Sequence, residues 1–80
     1  MAKILVVEDE ESVRELLRLY LEKEGFQVEL ASDGEEALEK MSRISPDLVL
    51  LDLMLPKKDG WEVCREIRKT SYVPIIMLTA

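Results

Sequence analysis

Apolar residues recur along this chain in two alternating patterns, one typical of strands and the other of helices. Apolar runs at residues 3–7, 48–52 and 73–79 predict strands, and residues 26–31 alternate apolar and polar as a half-buried edge strand does. Between them, residues 12–24, 37–44 and 60–69 carry apolar positions at helical spacing, and residues 32–36 (SDGEE) predict a turn that caps the second helix. The order is therefore βαβαβαβ, which predicts an α/β fold with a parallel sheet and right-handed crossovers.

The helix boundaries have their own signals in the sequence. Ser12 with Glu15 three residues later predicts a capping box for the first helix, and Gly25 predicts its end. We expect one buried stripe on that helix, formed by Val13, Leu16, Leu17, Tyr20 and Leu21. In the third helix, Cys64 is expected to be a small core residue.

Composition narrows the class of protein. Eighty residues with 48% hydrophobic content predict one small globular domain spanning residues 1–80. A net charge of −6 argues against direct contact with nucleic acid or an anionic membrane, because both require a basic surface. A single cysteine excludes a disulfide framework within the chain, and the short first apolar run fits neither a signal peptide nor a membrane span. We expect a cytoplasmic protein.

Acidic residues follow the predicted strands at the point where each strand ends. Glu8 and Asp9 follow the first strand, Asp52 ends the third, and Thr79 ends the fourth. We expect the flavodoxin-like, doubly wound order 2-1-3-4, which makes the first and third strands neighbours and brings Glu8, Asp9 and Asp52 together. Taken alone, the acidic segment from Glu8 is equally consistent with a charged loop before a helix N-terminus.

Three carboxylates at close range repel one another, and a hard divalent cation relieves that repulsion. Oxygen ligands suit Mg²⁺, whereas the absence of histidine makes a zinc site improbable. Beside such an ion, Asp52 is a candidate nucleophile toward phosphorus. The hydroxyl of Thr79, on the adjacent strand, is a candidate hydrogen-bond donor to a phosphoryl oxygen.

Five segments together resemble the receiver domain of bacterial two-component response regulators, most closely those with winged-helix DNA-binding output domains. The segments are residues 4–10 (ILVVEDE), 33–38 (DGEEAL), 46–56 (PDLVLLDLMLP), 59–60 (DG) and 73–80 (VPIIMLTA). The resemblance implies that Asp52 accepts a phosphoryl group from a sensor histidine kinase. It also implies that Glu8, Asp9, Asp52 and the backbone carbonyl of Met54 hold Mg²⁺, and that Thr79 is the switch hydroxyl.

The resemblance also implies what this sequence lacks. Receivers continue beyond the fourth strand with a helix, a fifth strand ending in a lysine, and a final helix. Residues 1–80 correspond to the N-terminal portion of such a domain, with three helices. Two readings remain open: a phosphoacceptor module that is not a turnover enzyme, and a structural or assembly fragment of the receiver fold without signalling. An aspartate-based phosphatase is a weaker third, because such enzymes usually carry a second acid where Met54 stands.

One helix on one face of the sheet and two on the other predict uneven cover. On the poorer face, either Leu48 and Leu50 or Val49 and Leu51 should lose cover, together with part of the last strand. An apolar free edge at residues 75–78 pairs readily with another chain. We therefore expect this chain to self-associate or to require a partner.

Overall fold

The alternation of strands and helices is as predicted. The computed structural model describes residues 1–78. Its elements are β1 (Lys3–Val7), α1 (Glu11–Lys23), β2 (Gln27–Ala31), α2 (Gly34–Ile44), β3 (Leu48–Asp52), α3 (Gly60–Arg68) and β4 (Ile75–Leu78). The last strand begins two residues later than the apolar run suggested, at Ile75, because Pro74 has no N–H to donate. The Pro74 carbonyl still accepts a hydrogen bond from the Val49 N–H, at 3.0 Å.

All four strands lie in one parallel sheet, in the predicted order β2-β1-β3-β4. The register pairs Val7 with Leu51 across β1 and β3, and Asp52 with Leu78 across β3 and β4. The residues that follow Val7 therefore reach the same sheet edge as Asp52. This arrangement confirms the flavodoxin-like fold, and it places the topological switch point between β1 and β3.

The main core lies between the sheet and the two helices α2 and α3. Its fully buried members are Leu5, Val7, Ala31, Ala37, Val49, Leu51, Val63 and Ile67. The thiol of Cys64 is free and partly buried against this cluster, close to the position expected. Ile4 and Val6 point to the other face of β1 and are also buried, because α1 lies against β1 and β2 there.

Helix α1 differs from its prediction in two respects. The capping box is wrong: the helix begins at Glu11, so Ser12 lies inside the first turn, and the N-cap residue Glu10 makes no side-chain cap. Glu15 instead accepts a hydrogen bond from Arg18 Nε at 2.8 Å. The buried stripe is only partly present: Val13, Leu17 and Leu21 are partly buried, whereas Leu16 and Tyr20 are 54% and 64% exposed.

The poorer face of the sheet is the one that carries α1. Val49 and Leu51 point to the main core and are fully buried, whereas Leu48 and Leu50 are only partly covered. On β4, Ile76 is the residue paired with Leu50 of β3, and it is 50% exposed. Of the two alternatives predicted from the sequence, the structure therefore selects Leu48 and Leu50. Across residues 1–78, the helices are too short or too polar to cross a bilayer.

Candidate functional site

Three carboxylates meet where β1 and β3 end. Glu8 and Asp9 follow directly after β1, and Asp52 is the last residue of β3. Each offers one carboxylate oxygen, and these oxygens lie within 4.8 Å of one another. They line a cleft of about 420 Å³, whose other lining residues are Glu10, Val13, Leu17, Met54 and Leu78. The predicted convergence of Glu8, Asp9 and Asp52 is therefore present.

Glu8 is the most buried of the three acids, with only 8% of its surface exposed. This burial, followed by contact with the carboxyl groups of Asp52 and Asp9, raises the pKa of Glu8 from 4.5 to about 7. The backbone N–H of Glu10, 3.4 Å from Oε2 of Glu8, acts in the opposite direction. The site therefore concentrates negative charge at a cost that a cation would relieve.

Asp52 is oriented by the loop that follows it. The Met54 N–H donates to Oδ1 of Asp52 at 3.0 Å, which fixes the rotation of the carboxylate. The Gly60 N–H donates to the Leu53 carbonyl at 3.0 Å, which ties the start of α3 to the residue that follows Asp52. A Cβ at Gly60 would lie 2.7 Å from the Asp52 carbonyl oxygen and 2.7 Å from Leu53 Cα, and only glycine permits this approach.

The same loop is attached to the N-terminus of α2. Lys57, in a left-handed conformation with φ of 67°, places its Nζ 3.4 Å from a carboxylate oxygen of both Asp33 and Glu35. Asp33 also caps α2 by accepting a hydrogen bond from the Glu36 N–H at 2.8 Å. That N–H, followed by the weaker contact with Lys57, lowers the pKa of Asp33. The predicted turn and cap at Asp33 are thus confirmed as a capping interaction.

Arg14 was not identified as a site residue from the sequence. Its side chain extends from the first turn of α1, and Nη1 donates to the Glu8 carbonyl at 2.8 Å and to the Asp9 carbonyl at 2.9 Å. Contacts from a side chain to backbone carbonyls leave no periodic signal in a sequence. The α1 stripe, which places Val13 and Leu17 in the cleft, was the only clue that this turn lies beside the acids.

The donor set fits a hard divalent cation. All three side chains offer carboxylate oxygens, which are the ligands that Mg²⁺ prefers. Within residues 1–78, no lysine or arginine forms an ion pair with Glu8, Asp9 or Asp52. The repulsion among the acids is therefore not offset by a basic side chain in the described part of the chain.

Comparison with known proteins identifies the family. The profile of the response regulator receiver domain matches residues 4–80. The chain belongs to this family. It is 55% identical over 78 residues to the transcriptional regulatory protein ResD of Bacillus subtilis, covering 98% of this chain and 32% of that protein. It is 57% identical over 79 residues to the alkaline phosphatase synthesis transcriptional regulatory protein PhoP of the same organism, covering 98% and 33%. The chain thus spans about a third of the length of the curated relatives it matches.

Solved receiver structures share the fold. The beryllofluoride-activated receiver domain of Klebsiella pneumoniae RstA superposes with a TM-score of 0.92 and 45% identity, over 96% of this chain and 66% of that one. The Thermotoga maritima response regulator TrrA, solved in complex with Mg²⁺ and beryllium fluoride, superposes with a TM-score of 0.94 and 48% identity. That match covers 100% of this chain and 70% of TrrA. The sequence resemblance to receivers is confirmed at the level of family and fold.

The structure describes most of the site residues predicted from the sequence, but not all of them. Glu8, Asp9 and Asp52 lie together, and Met54 lines the same cleft with a side chain that is 70% exposed. Thr79, the predicted switch hydroxyl, lies outside the described residues, as does Ala80. The role of Thr79 remains a prediction.

Proposed function

We propose that this chain is the phosphoacceptor portion of a two-component receiver, that Asp52 accepts the phosphoryl group, and that Mg²⁺ is required. The convergence of Glu8, Asp9 and Asp52 within 4.8 Å at the switch point of the sheet carries this proposal. The receiver family of residues 4–80 supports it. So does TrrA, whose bound beryllium fluoride has the shape of a phosphoryl group.

The acceptor chemistry needs only a positioned carboxylate. An oxygen of Asp52 forms the new bond to phosphorus while the bond from phosphorus to the leaving group breaks, and the leaving group keeps the electron pair. With a histidine kinase as donor the leaving group is an imidazole nitrogen, and with acetyl phosphate it is acetate. The Met54 N–H holds the Asp52 carboxylate in place during this step. The product is an aspartyl phosphate, so the chain acts once per phosphoryl group and is not a turnover enzyme.

Glu8, Asp9, Asp52 and the Met54 carbonyl would hold the Mg²⁺ ion. When bound, Mg²⁺ supplies positive charge that offsets the carboxylates and the phosphoryl oxygens. The buried carboxyl of Glu8 gains most, because its charged form is disfavoured without a cation. We include Thr79 in the proposal as a hydroxyl that donates to a phosphoryl oxygen, because it directly follows Leu78 in the sequence and matches the receiver family there.

Phosphorylation is tested by intact mass after incubation with acetyl phosphate and MgCl₂. We expect one added phosphate, lost on treatment with hydroxylamine, and no label in Asp52→Asn. Asp59→Asn is the matched control: Asp59 is another acid of the same loop, but its side chain caps α3 by accepting a hydrogen bond from the Glu62 N–H at 2.9 Å. Asparagine caps equally well, so labelling of this variant should be normal. Label that persists in Asp52→Asn would exclude Asp52 as the acceptor.

Magnesium binding is tested separately by stability. An ion that binds only the folded chain raises the free energy of unfolding by ~2.7 kcal/mol at a hundredfold excess over Kd. Asp9→Asn should remove most of that increase, and Asp59→Asn should keep it. A wild-type chain with the same stability in EDTA and in millimolar Mg²⁺ would contradict the metal site.

The partners of the chain are part of the same proposal. A sensor histidine kinase would supply the phosphoryl group, and a DNA-binding output domain would follow in the parent protein, as the transcriptional regulators ResD and PhoP suggest by their names. The acidic receiver portion would itself make no contact with nucleic acid, since its net charge is −6. A cytoplasmic location follows from a role between kinase and DNA.

A second candidate, an assembly fragment without signalling, is favoured by one observation. Ile76 is 50% exposed on a strand at the edge of the described sheet, beside the partly exposed Leu50. About a third of the length of each of these solved receivers lies outside the match with this sequence. We propose that this face is covered by a second copy or by further receiver sequence on a longer chain. Sedimentation showing a compact monomer at micromolar concentration would contradict the proposal of self-association.

A further inference from the structure

One guanidinium nitrogen of Arg14 binds the backbone carbonyls on both sides of Asp9. Nη1 of Arg14 lies 2.8 Å from the Glu8 carbonyl oxygen and 2.9 Å from that of Asp9. These are hydrogen bonds from a charged donor, which are stronger and more directional than neutral ones. They also cross the β1–α1 connection, in which three residues, Glu8, Asp9 and Glu10, link the strand to the helix.

The positions of these two carbonyls determine the direction in which the Asp9 side chain leaves the backbone. The Glu8 carbonyl belongs to the peptide unit that joins Glu8 to Asp9, and the Asp9 carbonyl belongs to the next unit. Fixing both oxygens therefore fixes the backbone rotation at Asp9 and the ψ angle of Glu8. The direction of the Cα–Cβ bond of Asp9 follows from that geometry, because a side chain leaves a planar backbone unit at a set angle.

The backbone hydrogen bonds of this connection reach other atoms: the Glu8 N–H donates to the Ala31 carbonyl and the Arg14 N–H to the Glu10 carbonyl, both at 3.0 Å. Glu10, the N-cap residue of α1, makes no side-chain hydrogen bond to the helix. The hydrogen bond from the Glu10 N–H to the Glu8 carboxylate is long, at 3.4 Å. Because Arg14 contacts carbonyls and not carboxylates, its charge holds the loop without occupying the oxygens that would bind a cation.

We infer that Arg14 is a positioning residue of the divalent-cation site, acting through the carbonyls of Glu8 and Asp9. This inference rests on the proposed function, since it concerns how tightly the proposed site binds Mg²⁺. Residues that orient metal ligands typically change metal affinity by about 10- to 100-fold when they are mutated. We therefore expect Arg14→Met to raise the Kd for Mg²⁺ about 10-fold.

The sign of the effect separates positioning from simple electrostatics. Removing a positive charge near a cation site should by itself tighten Mg²⁺ binding, whereas loss of positioning weakens it. Arg18→Met is the matched control. Arg18 lies one turn further along α1, carries the same charge, and pairs with the side chains of Glu15 and Glu22, both at 2.8 Å. We expect its Kd to remain within about twofold of wild type.

The measurement is urea unfolding in EDTA and across a MgCl₂ series, which gives baseline stability and Kd separately. A purely structural role for Arg14 would lower stability in EDTA and leave Kd unchanged. Arg14→Lys keeps the positive charge and N–H donors but has a shorter side chain, so its Kd should lie between those of wild type and Arg14→Met. It replaces Arg14→Met in the test if the methionine variant does not fold. A Kd at or below the wild-type value in both Arg14 variants would overturn the inference. A wild-type chain that shows no response to Mg²⁺ would instead overturn the proposed function.

Discussion

The raised pKa of Glu8 predicts that the metal-free chain loses stability as pH rises from 5 to 8. Burial and the neighbouring carboxyl groups raise the pKa of Glu8 from 4.5 to about 7 in the folded state. Between these two values the folded chain binds more protons than the unfolded chain. The free energy of unfolding must therefore fall as pH rises through this window, and the full penalty is present above about pH 7.

The size of the effect follows from the two pKa values. The difference between 4.5 and about 7, at ~1.36 kcal/mol per pH unit, corresponds to about 3 kcal/mol. A small domain has a total stability of only ~5–15 kcal/mol, so the change should be easy to measure. Only 8% of the Glu8 surface is exposed, so solvent screens its charge weakly.

Few other groups titrate in the same window. The sequence contains no histidine. The pKa of Asp33 is lowered, chiefly by the Glu36 N–H, and the pKa of Glu36 is lowered, chiefly by the Ser32 N–H. A carboxyl group whose pKa is lowered by folding adds to the free energy of unfolding at pH values above its unfolded pKa. That added stability is lost only in more acidic solution, below about pH 4.5. They therefore act outside the range from pH 5 to 8.

The assay is urea unfolding in EDTA at half-unit steps from pH 5 to pH 8. Wild type should lose about 2.5 kcal/mol across the series, because part of the change occurs below pH 5, whereas Glu8→Gln, which carries no charge at any of these pH values, should change little. At pH 8 and without metal, Glu8→Gln should be the more stable protein. A wild-type stability that is constant or rises with pH, or an equal slope in both proteins, would refute the reasoning from burial and charge.

Three further predictions follow from local contacts. Gly60→Ala should lower the free energy of unfolding, measured by urea unfolding, by about 2 kcal/mol, because the new Cβ would lie 2.7 Å from backbone atoms. Gly25→Ala is the control: its new Cβ would have no neighbour within 4 Å, so only the positive φ of 95° destabilises it, by about 1 kcal/mol. Asp59→Ala should cost about 1 kcal/mol through loss of the α3 cap, measured against Asp59→Asn. Ile76→Lys should shift sedimentation toward monomer, whereas Tyr72→Lys, outside the strands and already 96% exposed, should not.

The fold was predictable from the sequence because burial dominates its strands. The run from Leu48 to Leu51 is apolar at every position, and only a strand covered to some degree on both faces accounts for that. Once strands and helices alternate, right-handed crossovers leave few possible orders, and Glu8, Asp9 and Asp52 must reach one edge. The acidic cluster was thus a consequence of topology, and its prediction did not depend on the details of packing.

The errors concern features that periodicity does not report. The apolar stripe of α1 identifies the side of the helix that faces the sheet. It does not predict how much of that side is covered, and Leu16 and Tyr20 remain exposed. The capping box failed because Glu15 is within reach of Arg18 on the same helix, and that ion pair competes with the backbone. Lys57 adopts a positive φ for which the sequence gives no signal, since glycine and asparagine are the residues expected there.

The charge state of the site is the property least accessible to sequence, and it couples stability to binding. Topology alone brings Glu8 and Asp52 together, but only the packing around Glu8 determines that its ionised form is disfavoured. The penalty of about 3 kcal/mol exists only in the folded chain, so a cation that relieves it must bind the folded chain preferentially. At pH 8, where Glu8 is ionised, the stabilisation by Mg²⁺ should therefore exceed that at pH 5, where a proton must first leave.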